Sequence, residues 1–311
     1  MENAKTSLNG FRLDCELKNV PVAFANALRR IALAELPVVV LTNVEILENT
    51  TGLTHEMLRH RMEQMPVNVK PEEVGVIRDT RLELKTGATD VPVEVTTDDI
   101  TIFGPRKEIL LKDRDLQTPG YVIRLAPGQS LHIKATLGIG AGSHVCVSTF
   151  RNHCDPEKLK LQRGLWIEQG RDPREFDGFA FQKFYERDEN DRPYWFDFSL
   201  ESVGVLPAKD LLRMSVQLLK DKLVEALKTP VQREGPNEFV LKLPGETHTL
   251  GALIQDRLYS DKNVDFVSYT IGHPLLPELV IRFTTKQQPE SILETFKRGA
   301  LELCENVLRS V

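Results

Sequence analysis

The feature that most constrains the fold is a stripe of leucine and valine between Pro207 and Thr229-Pro230. Leu212, Val216, Leu219, Leu223 and Leu227 recur at spacings of three or four, and Leu211 and Leu218 widen the stripe. This is the period of an amphipathic helix, opened by one proline and closed before another. About 20 residues at a rise of ~1.5 Å make a rod of ~30 Å. So broad a stripe needs both a sheet and a second helix against it.

A second long helix is predicted over 289–308, starting at Pro289 and carrying Ile292, Phe296, Ala300, Leu303 and Val307. It ends a compact βαββα run: strand 238–243, helix 249–259, strands 264–271 and 278–284, then the helix. The beginning of the chain has the same order. Residues 11–17 alternate as a half-buried strand, Asn19-Val20-Pro21 opens a helix with Phe24, Leu28 and Ile31 on one face, and Val38 to Ile46 reads as a strand. The helix must stop before Pro37, since the residue preceding proline avoids the α region. A shorter helix follows from Thr54 to about Gln64, with Leu58, Met62 and Met65 on one face. Residues 194–201 alternate again and lead into helix 207–227. At an offset of 225, Ala27-Leu28 and Leu33 fall on Ala252-Leu253 and Leu258. The second half thus repeats the first with an insertion removed.

That insertion reads as mostly β. Leu131 to Leu137 alternate strictly, and Val145 to Phe150 forms another strand. Ala126-Pro127-Gly128-Gln129 and the glycine run Gly138-x-Gly140-x-Gly142 read as turns, and the polar loop 187–191 closes the stretch. The predicted organisation is α+β: residues 1–47 and 192–228 form a first, discontinuous domain, 48–191 the insertion, 229–237 a linker, and 238–311 a second domain. A chain of 311 residues is long enough for two cores.

Composition narrows the function. The 40 basic residues are outnumbered by 45 acidic ones, for a formal charge of −5, which disfavours direct nucleic-acid binding. The N-terminal residues lack the apolar core of a signal peptide, and no run approaches the ~18 apolar residues of a membrane span. Four cysteines without a C-x-x-C pair point to a reducing, intracellular setting. The glycine run lacks the spacing of a phosphate loop and leads into a strand, so it is assigned to a hairpin turn. His144, Cys146, His153 and Cys154 are the metal-like cluster, but their spacing fits no standard zinc site, and no metal or cofactor is assigned. Neither a Gly-x-Ser-x-Gly elbow nor a His-Glu-x-x-His pair is present, and no catalytic residue is assigned.

The positive signal is a run of motifs. Asn26-Ala27-Leu28-Arg29-Arg30-Ile31 ending at Pro37, then Val44-Glu45-Ile46 with Asn49-Thr50-Thr51, then His60-Arg61-Met62 with Pro66, resembles the α-like subunits of cellular RNA polymerases. His144-Val145-Cys146, Trp195-Phe196-Asp197-Phe198 with Glu201-Ser202-x-Gly204, and the long helix after them resemble the third-largest eukaryotic-type subunit, the archaeal D subunit. His248-Thr249-Leu250-Gly251 and Gly272-His273-Pro274-Leu275 look like its small partner, the archaeal L type. The chain therefore resembles a fusion of the two α-like subunits, an arrangement found in some large DNA viruses. Two departures stand out: no cysteine lies between Cys15 and Cys146, which argues against the family's cysteine-rich metal loop, and Glu63 replaces a small residue after His60-Arg61-Met62. The helix-hairpin-helix tail of the bacterial α subunit is absent as well.

The resemblance implies a non-catalytic assembly platform whose two α-like halves pair within one chain. Leu212, Val216, Leu219, Leu223 and Leu227 would form one side of the seam; Leu253, Phe296, Leu303 and Val307 would form the other. The platform would recruit the second-largest and then the largest polymerase subunit through Asn26, Arg29, Arg30, His60 and Arg61, with Arg30 the principal contact. Small zinc-binding polymerase subunits are further implied partners, and DNA is reached only through the complex. The location implied is intracellular, in nucleus or cytoplasm, or in a viral factory or virion. On the residues alone, a free-standing homodimeric α+β binding protein unrelated to transcription, or an enzyme using the His144/Cys146 region, stays open.

Overall fold

The computed structural model describes residues 1–141, 145–273 and 275–310, with Leu276 and Pro277 described in backbone alone. Along the chain run β1 (Glu2–Ser7), β2 (Arg12–Lys18), α1 (Val22–Ala34), β3 (Pro37–Asn49), α2 (His55–Glu63) and α3 (Val74–Asp79). Then come β4 (Arg81–Thr86), β5 (Val93–Thr96), β6 (Ile100–Phe103), β7 (Tyr121–Leu125), β8 (Leu131–Ala141) and β9 (Cys146–Asn152). α4 (Pro156–Glu168) and α5 (Pro173–Gly178) precede β10 (Trp195–Ser202) and α6 (Ala208–Ala226). The last part holds β11 (Gln232–Arg233), β12 (Glu238–Pro244), α7 (His248–Tyr259), β13 (Val264–His273), β14 (Leu276–Thr285) and α8 (Pro289–Ser310). The fold is α+β.

The chain forms two compact units. One comprises Met1–Ile31, Ser148–Leu200 and Leu212–Val311; the other comprises Ala32–Val147 and Glu201–Leu211. These limits differ from the predicted insertion, 48–191, at both ends. β3 is an unbroken 13-residue strand whose pairing with β8 runs from Pro37↔Ala141 to Asn49↔Leu131, so hydrogen bonding ties it to the insertion's sheet. Asn43, at φ 48°, takes up the register shift between Thr42 and Glu45, as a bulge requires.

The first unit holds two four-stranded sheets, ordered β1-β2-β10-β9 and β11-β12-β14-β13. In β10 the period-2 reading of the sequence is realised directly: Phe196, Phe198, Leu200 and Ser202 are buried and the residues between them are not. The second unit holds a sheet ordered β3-β8-β4-β6 and the pair β5-β7, around a core that includes Leu41, Leu58, Met62, Leu84, Ile109 and Leu131.

Two parts of the insertion differ from the sequence reading. Gly138 and Gly140 are not in a turn but inside β8, opposite Val40 and Val38, while Gly142 lies outside the described residues. A Cβ on Gly140 would come within 2.8 Å of Val40 Cγ2, and one on Gly138 within 2.9 Å of Thr42 Oγ1, so the glycines admit close β-branched neighbours. The stretch after β9 is helical. Asp155-Pro156 and Asp172-Pro173 each supply a capping carboxylate and a proline in the first turn, starting α4 and α5.

α7 sits close on its sheet because Gly251 faces it. A Cβ there would lie 2.7 Å from Tyr269 Cδ2 and 2.9 Å from Leu279 Cδ1. Gly251→Ala should therefore destabilise by about 1–2 kcal/mol net, overpacking exceeding the ~1 kcal/mol gain in helix propensity. A urea midpoint at or above that of the wild type would refute this.

Candidate partner-binding surface

α1 buries Phe24, Ala25, Ala27, Leu28, Ile31 and Ala32, and leaves Asn26, Arg29 and Arg30 half-buried at its flank. Asn26 and Arg29, three apart, share one helix face. Asn26 Oδ1 accepts from Arg29 Nε at 3.1 Å and Nη2 at 3.0 Å, which holds Arg29 along the helix. Arg30 reaches elsewhere: its Nε donates to Thr249 Oγ1 in α7 at 3.0 Å. Among the described residues this is the only side-chain hydrogen bond of Arg30, and both terminal nitrogens keep their donors.

α7 is touched at its other end by the loop after α5. Arg192 donates through Nη1 to Ser260 Oγ at 3.3 Å and stands 5.5 Å from the Tyr259 ring centre. Asp188 stiffens this loop, its Oδ1 accepting from the backbone N–H groups of Asn190 and Arg192.

The other predicted contact residues, His60 and Arg61, lie on α2 in the second unit. Thr54 caps this helix, and Leu58 and Met62 anchor it. His60 and Arg61 are exposed. Arg61 donates through Nη1 to the Val122 carbonyl at 2.6 Å and lies 5.9 Å from the Tyr121 ring centre. They border an open cleft of about 770 Å³ that also takes in Met57, Arg114, Tyr121 and Val203. These four residues escaped the sequence reading: Val203 is only the unassigned position of Glu201-Ser202-x-Gly204, the other three belong to no motif, and they converge only through folding. The motif residues thus fall into two clusters on separate compact units.

Of the predicted seam residues, Leu212, Val216, Leu219, Leu223, Leu253, Phe296 and Val307 are buried, and Leu227 and Leu303 are half-buried. α6 and α8 are joined at their polar margin by Lys220 and Glu305, 3.2 Å apart. Lys222 and Glu246 form a further pair at 3.0 Å.

Among the described residues, Cys146, His153 and Cys154 of the metal-like cluster form no joint ligand group. His144 lies outside the described residues, and the buried Cys146 thiol donates to the Ala32 carbonyl at 3.2 Å. His153 instead stacks on Trp195, ring centres 3.9 Å apart, and meets Glu16 and Asp197. The oxygens of that trio are already engaged. Glu16 accepts from Trp195 Nε1 at 3.1 Å and Asn3 Nδ2 at 2.9 Å, while Asp197 bonds His153 at 2.7 Å and Arg151 at 3.0 Å. The arrangement is an ion-paired network on the outer face of the sheet.

Burial pushes the thiols of Cys15 and Cys304 up to about 12 and that of Cys146 up to about 11; Cys154, half-buried, is raised less. Thiolate is the reactive form. A maleimide at pH 7.5 should therefore label Cys154 well before the other three, and all four in denaturant. Equal native labelling of Cys15, by peptide mass mapping, would contradict the buried placement of β2.

The sequence profile of the RNA polymerase Rpb3/Rpb11 dimerisation domain matches residues 14–223, and a second profile of the same description matches 238–310. The chain belongs to this family. Among its relatives, the DNA-directed RNA polymerase subunit Rpo3 of Pyrococcus horikoshii is 26% identical over 238 residues, covering 66% of this chain and 88% of that protein. The RNA polymerase II subunit RPB3 of Schizosaccharomyces pombe is 26% identical over 267 residues, covering 73% and 86%. A conjugation stage-specific protein of Tetrahymena thermophila is 28% identical over 200 residues, 53% of this chain and 63% of its own length. Two dimerisation domains thus stand in tandem here.

Proposed function

We propose that this chain is a non-catalytic assembly platform of a DNA-dependent RNA polymerase, acting in transcription inside the cell. It is a fusion of a D-type and an L-type α-like subunit, with domains at 1–47 plus 192–228 and at 238–311, an insertion at 48–191 and a linker at 229–237. The observation that carries the reading is the pair of family matches on one chain, together with a hydrogen bond from Arg30 of the first half to Thr249 of the second. Leu212, Val216, Leu219, Leu223 and Leu227 pack the seam from one side; Leu253, Phe296, Leu303 and Val307 pack it from the other. The paired halves recruit the second-largest subunit through Asn26, Arg29, Arg30, His60 and Arg61, then the largest, alongside small zinc-binding subunits. Nucleotidyl transfer belongs to the partners, and DNA is met only through the assembled complex. The fused arrangement favours a viral polymerase.

The exposed apolar residues Leu161, Leu165 and Ile167 of α4, a helix with no buried residue, support a subunit that works inside an assembly. The test is affinity purification of the tagged chain from its native source, with mass spectrometry of the eluate. Two very large subunits and template-dependent RNA synthesis should co-purify. A chain that elutes alone, or as a dimer of itself with no large companion, overturns the platform reading.

A further inference from the structure

Burial of apolar area brings two helices together without choosing between them, because it has no direction. A chain with two similar halves needs such a choice: its first half could pair with the second, or with the first half of another copy. The Arg30–Thr249 hydrogen bond is directional, spans 219 positions of sequence, and joins a half-buried guanidinium to a hydroxyl on a residue only 2% exposed.

The internal repeat shows what the wrong pairing would offer. At the offset of 225 that aligns Ala27-Leu28 with Ala252-Leu253, Thr249 falls on Phe24 and Gln255 falls on Arg30. In a symmetric pair every contact occurs twice, with the roles exchanged. Two first halves would therefore set Arg30 against Phe24 at both places, leaving two half-buried cations with no oxygen to accept from them. Two second halves would set the neutral Gln255 against Thr249, which carries no such penalty. In the tandem pair Arg30 meets a hydroxyl, and the equivalent position on the other side holds an uncharged amide.

We propose that Arg30 and Thr249 are specificity determinants of pairing: the hydrogen bond makes the first half accept the second and reject a copy of itself. Specificity then arises as much from the unpaired charge of the wrong partner as from the contact with the right one. This inference rests on the reading of the two halves as paired α-like domains.

The experiment starts from the folded full chain with a protease site placed in the linker beside Arg233. After cleavage the pieces re-equilibrate at micromolar concentration, and native mass spectrometry counts mixed pairs and first-half pairs. The wild type should give mixed pairs alone. Thr249→Val should raise the dissociation constant of the mixed pair about tenfold, equivalent to ~1.4 kcal/mol, while Thr249→Ser, which keeps the hydroxyl, should stay at the wild-type value. Arg30→Leu should let first-half pairs appear. Wild-type affinity in Thr249→Val and the absence of first-half pairs in Arg30→Leu would overturn the selection and leave the intramolecular pair standing. Wild-type pieces that separate would overturn both.

Discussion

Leu223→Asp should break the association of the two halves. Leu223 is fully buried in α6, and α6 meets α8 at the Lys220–Glu305 pair, so a carboxylate at 223 would sit beneath that margin among apolar side chains. An uncompensated buried charge costs roughly 3–5 kcal/mol even after relaxation, a large part of the ~5–15 kcal/mol that holds a domain folded. In the intact chain the tether masks part of the loss, because it supplies an effective concentration in the ~mM range. The effect is therefore read after cleaving the linker. Wild-type pieces should co-elute at micromolar concentration, as apolar permanent interfaces of ~2,000 Å² or more do. Leu223→Asp pieces should elute apart, and Leu227→Asp, at a half-buried position of the same stripe, should be milder. Co-elution of the Leu223→Asp pieces, with circular dichroism unchanged, would remove α6 from the seam.

Much of this architecture is written in periodicity. The stripe from Leu212 to Leu223 and the alternation through Phe196, Phe198 and Leu200 depend on burial on one side only, and that leaves a regular trace in sequence. The helix predicted over 207–227 runs from Ala208 to Ala226, and the one over 289–308 runs from Pro289 to Ser310. The failures are of another kind. Gly138 and Gly140 look like turn residues, yet they serve as clearance for Val40 and Thr42 across the strand pair, a requirement that appears only once β3 and β8 are side by side. α4 has almost no amphipathic pattern because none of its residues is buried; only its Asp155-Pro156 start could have announced it. The contact surface was half legible. The Asn-Ala-Leu-Arg-Arg motif marked α1, but the Arg30–Thr249 and Arg192–Ser260 bonds, which hold α7 at its two ends, join segments that meet only in the folded chain.

The two arginines of α1 should differ sharply when the second-largest subunit is captured. Arg29 has two nitrogens bound to Asn26, so part of its fork is already engaged within its own helix. Arg30 uses Nε alone toward Thr249, which leaves both terminal nitrogens for a carboxylate, which a guanidinium can bind in bidentate fashion. Truncating one member of a desolvated charge pair costs ~2–5 kcal/mol, or roughly 30-fold to several-thousand-fold in affinity. Arg30→Ala in the intact chain should therefore abolish capture of that subunit in a pull-down while the thermal midpoint moves little. Arg29→Ala should reduce capture by much less. Thr249→Val separates the two roles of Arg30: in the uncut chain the tether keeps the halves together, so capture should persist with a modest loss from the freer guanidinium. Capture at the wild-type level by Arg30→Ala would confine this residue to the pairing of the halves. Capture lost equally in Thr249→Val would mean that the terminal donors matter less than the bond made by Nε.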